Sequence, residues 1–290
     1  TGPRLIRATF DEEPAPEPGQ MVHWESLRGF IGAWRNRSLY IVAARTSVGK
    51  SALLVNIAAA TTKLGIPTLF LSLEMPDKQV RMRIEAIESG IGMQTLIDWH
   101  EGRCGLTTDK REDHNAAIDT IGGMPLSIQG GSMSLSRLEA VVRAWRLTKA
   151  YKTPAMVVVA YLGLVQNPLK GRTREQEVSG ISGALKRLAM ECDCPVICAA
   201  QLNREVDHRM PAKGKDGERD PTKPRLADLR ESGAIEQDAD VVLLLHRAGA
   251  QRGISGWVTV IVGKNRQGPC GEVSLWFNAP VMRFQNGETP

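Results

Sequence analysis

The residues with the clearest chemical purpose in this sequence are Gly49, Lys50 and Ser51, which close a short loop. An apolar segment from Leu39 to Ala43 predicts a buried strand before the loop, and Ala52 to Leu64 predicts a helix after it. In this arrangement the N–H groups of the loop and the positive end of the helix dipole face an anion. Lys50 can contact terminal phosphates, and the Ser51 hydroxyl can hold Mg²⁺. We therefore predict that a nucleotide binds to Arg45, Thr46, Ser47, Val48, Gly49, Lys50, Ser51 and Ala52.

The loop departs from the usual phosphate-binding pattern at its first position, where Ala44 stands in place of glycine. Gly49 remains at the position where the backbone must approach a phosphate closely, so the binding chemistry is retained. The simpler alternative is a chance Gly-Lys-Ser at the start of a helix, and the strand that precedes the loop argues against it.

Two further strand ends carry candidate catalytic residues, because ligands of open α/β sheets bind at the carboxyl ends of the strands. Glu74 follows the apolar segment Thr68 to Leu73, and a carboxylate there can orient and activate an attacking water for phosphoryl transfer. Gln201 follows Pro195 to Ala200, and its amide can hydrogen-bond a γ-phosphate and report its presence to the next loop. The alternatives are a surface or helix-capping Glu and a simple polar strand end.

A fourth strand end lacks the residue that its context predicts. The segment Ala155 to Val159 has the form of the strand that ends in a Mg²⁺-supporting Asp in nucleotide hydrolases, but Ala160 occupies that position. Only Ser51, phosphate oxygens and water would then hold Mg²⁺. We expect nucleotide binding to persist and hydrolysis to be strongly impaired. An engineered replacement of Asp and natural divergence would both leave alanine here.

The elements that must position these residues alternate along the chain. Near-continuous apolar strands separated by helices predict a mainly parallel sheet covered on both faces, and thus an α/β fold. Two alternating segments near the end predict antiparallel strands. The remaining predicted strands are Asp240 to Leu245, Trp257 to Val262 and Glu272 to Phe277, and the predicted helices are Lys78 to Ser89, Ser136 to Tyr151 and Glu177 to Glu191.

The overall composition is that of an ordinary globular protein of 290 residues. Residues 11–20 are acidic and Pro-rich, so we expect an N-terminal arm over residues 1–23 and one globular domain over residues 24–290. No apolar run has the roughly 18–20 residues of a membrane span, and no signal peptide opens the chain. The five cysteines have no histidine nearby at zinc spacing, which favours reduced thiols and a cytoplasmic location.

Four longer motifs carry a resemblance to a known family. They are Ser72-Leu-Glu-Met75, Gln201-Leu-Asn-Arg204, the segment Pro224 to Asp240, and Gly263-Lys-Asn-Arg-Gln-Gly268. They occur in the order and approximate spacing seen in DnaB-type replicative helicases. The chain from Leu27 to Phe284 closely resembles the C-terminal RecA-like ATPase domain of that family. It departs from the family at Ala160, in an apparent insertion from Met210 to Thr222, and in lacking the family's N-terminal helical domain.

The resemblance implies a RecA-like P-loop NTPase fold with ATP and Mg²⁺ as cofactors. Lys264 and Arg266 resemble a pair that reaches the γ-phosphate bound by a neighbouring subunit and stabilises charge there, as an arginine finger does. Their location beside a Gly-containing turn suits a protruding tip, and a solvated hairpin is the alternative. Arg83 resembles a family residue of the nucleotide site.

The loop Arg230-Glu231-Ser-Gly233 resembles the strand-binding loop of the family. Arg230 would contact DNA phosphates, the N–H of Gly233 would approach backbone oxygens, and Glu231 would brace the loop or contribute its own N–H. The segment from 204 to 231 has eight Lys/Arg against seven Asp/Glu and no aromatic residue. Contact with the phosphate backbone therefore fits better than base stacking on aromatic rings.

The favoured hypothesis is an ATP-driven motor on single-stranded DNA that acts as a ring, which the resemblance makes a homohexamer moving 5′→3′ with a helicase loader and primase as partners. A second hypothesis is a non-motor RecA-like module that binds nucleotide and assembles on DNA or on a loader without productive turnover. Ala160 favours this module, whereas the presence of Glu74, Lys264 and Arg266 disfavours it. A RecA-type recombinase or a circadian-type ATPase on the same fold is a third hypothesis, and the run from Arg230 to Asp240 points away from it.

Overall fold

A computed structural model describes residues 19–149, 153–166, 173–203, 222–229, 232–247 and 254–287. Two of the predicted DNA-binding residues, Arg230 and Glu231, lie outside these ranges. So do the predicted arm up to residue 18 and all but the last residue of the predicted insertion from Met210 to Thr222.

A nine-stranded sheet forms the centre of the molecule, in the order β11-β10-β9-β8-β3-β7-β6-β4-β5. The strands from β8 to β5 in this order are parallel, and β9, β10 and β11 extend the sheet antiparallel. The predicted α/β fold class, with antiparallel strands at the C-terminal end, is confirmed. The strands are β1 (Gly19–Met21), β2 (Ala33–Arg35), β3 (Leu39–Ala44), β4 (Thr68–Ser72), β5 (Leu126–Gly130), β6 (Met156–Ala160), β7 (Val196–Gln201), β8 (Val241–His246), β9 (Gly256–Asn265), β10 (Gly271–Asn278) and β11 (Arg283–Gln285).

Helices cover both faces of this sheet. Within the described residues, none of them is both long and apolar enough to cross a bilayer. The helices are α1 (Glu25–Ile31), α2 (Lys50–Lys63), α3 (Asp77–Ser89), α4 (Met93–His100), α5 (Thr108–Gly122), α6 (Leu135–Leu147), α7 (Arg174–Glu191) and α8 (Ser232–Asp238), with 3₁₀ turns at Leu162–Leu164 and Leu226–Asp228.

Strand β3 shows why its sequence is apolar without interruption. Successive side chains of a strand point to opposite faces of the sheet. Tyr40 and Val42 accordingly pack in one core, whereas Leu39 and Ile41 pack in the core on the other face, and every residue of the strand is buried. A strand with helices on both sides needs apolar residues at every position, so the continuous runs in the sequence correctly indicated a covered parallel sheet.

Several elements differ from the sequence prediction. The helix predicted over Ser136 to Tyr151 is α6, whose last helical residue is Leu147. Strand β5 and helices α4 and α5 were not predicted, because their apolar residues are too sparse to form a clear pattern. Strand β1 lies before residue 24, the predicted start of the globular domain, and pairs with β2 in a separate two-stranded sheet.

Candidate functional site

The phosphate loop, residues 45–51, runs from the carboxyl end of β3 into the first turn of α2. Gly49 has φ of +113°, and a Cβ atom there would lie 3.1 Å from Cζ of Phe284. Glycine is therefore required both for the backbone conformation and for the space. Gly49 is also the N-cap of α2 and has no side chain to accept the first N–H groups of the helix. These N–H groups and the helix dipole form a site for an anion.

Lys50 lies in the first turn of α2 with its ammonium 4.5 Å from the ring centroid of Tyr161. Burial lowers the pKa of Lys50, and the nearby charge of Glu74 partly opposes this effect. Among the described residues, no ion pair involves its Nζ. Lys50 is therefore a partly desolvated cation that contacts an aromatic ring rather than a carboxylate. A bound anion would neutralise its charge, which favours anion binding.

The register of the parallel strands brings the predicted catalytic residues to one edge of the sheet, which we call the carboxyl edge. Ala44 is the partner of Gln201, and Ser72 is the partner of Ala160. Glu74 is exposed two residues beyond Ser72, in a turn that is held because the Leu73 N–H donates to the Ala160 carbonyl over 2.8 Å. The edge therefore presents a carboxylate and an amide near the phosphate loop, and their catalytic roles remain predictions.

Ala160 itself is 1% exposed at the end of β6. Its methyl group offers no oxygen to a metal ion, whereas Mg²⁺ prefers an octahedron of oxygen ligands. The structure thus fits an anionic nucleotide better than it fits a metal, because Ser51 is the only predicted metal ligand. Two of the predicted nucleotide contacts are arginines: Arg45 donates from Nη1 to the Leu202 carbonyl over 3.5 Å, and Arg83 is half-buried in α3.

The cationic pair, Lys264 and Arg266, lies at the opposite edge of the sheet, where the parallel strands begin. Lys264 pairs with Val242 near the start of β8, and the Arg266 N–H donates to the Asp240 carbonyl over 2.9 Å. We call this the amino edge. Val241 begins β8 at the amino edge, and Leu245 of the same strand is paired with Ala44, next to the phosphate loop. At ~3.3 Å per residue, the strand spans about 13 Å between these two residues. The cationic pair and the phosphate loop of the same chain therefore lie at opposite ends of the parallel strands.

The side chains of the cationic pair contact the end of helix α8. Lys264 donates to the carbonyls of Glu236 and, over 3.4 Å, Gln237, and Arg266 donates to the Gln237 carbonyl. Carbonyls in the last turn of a helix carry the negative end of its dipole, so two cations stabilise them. Burial and the charge of Arg266 lower the pKa of Lys264.

The carboxylate of Asp240 holds several elements together at the amino edge. The sequence predicted this residue only as the start of a strand. Its Oδ2 accepts from the Leu39 N–H over 2.7 Å and from Lys186 Nζ over 2.6 Å, while Oδ1 accepts from Arg266 over 3.4 Å. One carboxylate thus joins β3, α7 and the turn after β9. A lone Asp before an apolar run has no spacing signal that could have indicated this role.

The chain segment that leads to the predicted DNA loop is bonded directly to the end of β7. Leu202 forms an antiparallel bridge with Leu229, and the Asn203 N–H donates to the Asp228 carbonyl over 2.8 Å. Residue 230 follows this bridge, and Gly233 lies in the first turn of α8 with open space around its Cα. The residues after Gln201 are therefore in contact with the residues before Arg230.

Comparison with known proteins agrees with this architecture. The family model described as DnaB-like helicase C terminal domain matches residues 19–286. The replicative DNA helicase DnaB of Leifsonia xyli subsp. xyli is 38% identical over 253 residues, covering 85% of this chain and 51% of the relative. The DnaB of Treponema pallidum is 36% identical over 262 residues, with 89% and 54% covered. This chain thus spans about half the length of these curated relatives.

Two solved structures are similar over nearly the whole chain. A DnaB-like replicative helicase, described with its interactions with primase, superposes with a TM-score of 0.85 and 27% identity, covering 99% of this chain and 67% of that chain. A second structure, described as an ATPase domain, superposes with a TM-score of 0.84 and 26% identity, covering 99% of this chain and 98% of that chain.

Proposed function

This chain belongs to the DnaB-like helicase C-terminal domain family, and we propose that it is the ATP-dependent motor of a replicative helicase that moves along single-stranded DNA as a ring. One observation carries the proposal: the phosphate loop and the cationic pair lie at opposite edges of the sheet in one subunit. Each group can serve the other only when a second copy of the chain brings its amino edge to the carboxyl edge of the first.

The nucleotide proposed for the carboxyl edge is ATP. The N–H groups at the start of α2 bind its phosphates, Lys50 neutralises their charge, and Glu74 orients a water for attack on the terminal phosphorus. The side-chain amide N–H of Gln201 donates a hydrogen bond to an oxygen of the terminal phosphate. Ser51 is the residue of this chain that would hold Mg²⁺, which would neutralise phosphate charge when bound. Because Ala160 replaces a carboxylate, we propose that this chain binds ATP and hydrolyses it slowly.

The cationic pair completes the site of a neighbouring subunit. To contact the γ-phosphate, Lys264 and Arg266 must release the carbonyls at the end of α8. The predicted DNA loop, Arg230 to Gly233, ends within the first turn of helix α8. Engagement of the pair with a neighbour therefore frees the helix that carries the end of the DNA loop, and this is a physical link between nucleotide state and DNA contact.

A second link runs inside each subunit. Gln201 lies beside Ala44, and the two residues that follow Gln201 are bonded to Asp228 and Leu229 just before the DNA loop. A shift of Gln201 on loss of the γ-phosphate would thus move the base of the loop. Contacts of Arg230 with DNA phosphates give affinity without sequence readout, which suits a motor that must pass every sequence.

Family membership supports the remaining parts of the proposal. We propose a homohexameric ring, 5′→3′ movement, and a helicase loader and primase as partners. One structural relative was described together with its interactions with primase. A mass measurement with a non-hydrolysable nucleotide tests the assembly: a chain that stays monomeric at high concentration would contradict a site shared between subunits.

The second candidate function is a RecA-like module that binds nucleotide and DNA without productive turnover, and Ala160 is the observation that favours it. Strand displacement on a forked duplex separates the two functions. The Ala160→Asp variant should unwind the fork with ATP, and the same variant carrying Lys50→Ala should not. Failure to unwind despite active ATP hydrolysis would support the module.

A further inference from the structure

Two histidines and one glutamate converge outside the residues assigned to nucleotide or DNA. Nε2 of His114 and Nε2 of His100 each lie 3.0 Å from the same oxygen, Oε1 of Glu85. The ligand atoms of the three side chains all lie within 4.8 Å of one another. Such a set of two imidazole nitrogens and one carboxylate oxygen is typical of sites for transition metals.

The three side chains come from three helices that pack against one another. Glu85 lies in α3, His100 is the last residue of α4, and His114 lies in α5. Glu85 and His114 are buried, and the side chain of His100 is 33% exposed. The site is therefore open to solvent on one side and closed by protein on the other.

The orientation of both imidazole rings is fixed by packing against a neighbouring aromatic side chain. Trp99 lies against both of them, with its ring centroid 4.8 Å from that of His100 and 4.5 Å from that of His114. Trp99 also packs against a small apolar core formed by α3, α4 and the turns that follow them: Ala86, Ile91, Leu96 and Leu106. Rings that are oriented before binding lose little freedom when they coordinate a metal, so the set is prepared for it.

We propose that Glu85, His100 and His114 form a binding site for a divalent transition metal, with Zn²⁺ as the best match. Zn²⁺ binds nitrogen and carboxylate oxygen at about 2.0–2.2 Å in a tetrahedron, which separates neighbouring ligand atoms by about 3.4 Å. The two 3.0 Å separations are close to this value. Mg²⁺ and Ca²⁺ are excluded as the preferred ions because two of the three ligands are nitrogens.

Metal binding needs only a small rearrangement. In the metal-free state each Nε2 hydrogen can be donated to Oε1 of Glu85. When the metal binds, each neutral imidazole carries its hydrogen on Nδ1 and offers the Nε2 lone pair, while Glu85 offers an oxygen. Water takes the fourth position at the open side beside His100. The metal thereby joins α3, α4 and α5, and α3 is the helix that follows Glu74 and contains Arg83.

Cobalt titration of the nucleotide-free chain tests the site, with Mg²⁺ present to occupy oxygen-only sites. We expect one equivalent of Co²⁺ with the intense visible absorption of four-coordinate cobalt and no thiolate charge-transfer band, and Zn²⁺ should displace it. His100→Gln should weaken binding by at least about 10-fold, and Glu85→Gln likewise. The matched control His23→Gln, at an exposed histidine outside the cluster, should leave binding unchanged.

Thermal unfolding gives a second readout. At free Zn²⁺ about 100 times the dissociation constant, the melting temperature should rise by about 4 °C for a chain of this size, and His100→Gln should remove the rise. Affinity that His100→Gln leaves unaltered, or absence of the cobalt absorption, would overturn the proposal and leave Glu85 as a hydrogen-bond acceptor for two histidines. Binding that instead depends on the exposed thiol of Cys104 would also overturn it. None of these outcomes depends on helicase activity.

Discussion

Because Arg266 lies far from the phosphate loop of its own chain, we can predict the ATPase activity of oligomers assembled from two different variants. The Arg266 N–H is bonded to the Asp240 carbonyl, and β8 rises from there toward Leu245, the partner of Ala44. Five residues at ~3.3 Å each place the phosphate loop more than about 16 Å away along the strands. An extended arginine side chain reaches only about 7 Å. Arg266 therefore cannot complete the site of its own chain.

Two variants test this conclusion, both in the Ala160→Asp background so that hydrolysis is measurable. Glu74→Gln removes the proposed water-orienting carboxylate and retains the phosphate loop. Arg266→Ala removes the proposed contact to the neighbour. Arg266→Ala should lose about 10³-fold or more of the ATPase activity, because an arginine finger contributes about 10³–10⁵ in kcat. Glu74→Gln should lose about 10²–10⁴-fold, the usual contribution of a positioned carboxylate that activates water.

Mixing the two variants in equal amounts should restore activity. If subunits assort at random, about one interface in four joins an intact Glu74 to an intact Arg266 from the next subunit. With independent sites, the mixture should recover roughly one quarter of the parent ATPase rate per chain. A site built within one chain would recover nothing, because no chain carries both residues.

The assay is steady-state ATP hydrolysis of the mixture at saturating ATP and single-stranded DNA, compared with each variant alone. Native mass measurement must show oligomers that contain both variants. Mixed oligomers with no more activity than the sum of the separate variants would refute the shared site. A doubly substituted chain, Glu74→Gln with Arg266→Ala, serves as the control and should be inactive by itself.

Three further predictions concern single sites. Ala160→Asp should raise kcat/KM for ATP by about 10–100-fold, because carboxylates that support a metal have effects of this size. Equal ATP turnover by the parent chain and the variant would show that the missing carboxylate does not limit hydrolysis. Arg146 is fully buried and donates to the carbonyls of Cys192 and Thr153. Each carbonyl left without a partner costs about 1–3 kcal/mol, so Arg146→Ala should lower the free energy of unfolding by about 2–6 kcal/mol in urea denaturation, and a change below about 1 kcal/mol would contradict the importance of these bonds. Burial raises the pKa of Cys198 to about 12, so its thiolate is absent up to about pH 10, and alkylation of the native chain should label the exposed Cys104 and Cys270 before any buried cysteine, as peptide mass mapping would reveal.

The sequence alone determined the phosphate loop, because its signal is local. A strand, a tight turn with Gly49 and a helix that starts at Lys50 are consecutive in the chain, and their geometry follows from backbone conformation and capping. The continuous apolar runs likewise determined a covered parallel sheet, because a strand buried on both faces must be apolar at every residue. With parallel strands, the residues that follow them meet at one edge, so Glu74 and Gln201 were placed near the loop.

Only the tertiary structure decided which groups lie far apart and which distant residues meet. Lys264 and Arg266 lie at the amino edge because β9 runs antiparallel to β8, and strand direction at that point is set by pairing rather than by composition. Likewise, Glu85, His100 and His114 meet because three helices pack at particular angles. Helix packing depends on the summed shapes of many side chains, so it leaves no regular spacing in the sequence from which the cluster could be predicted.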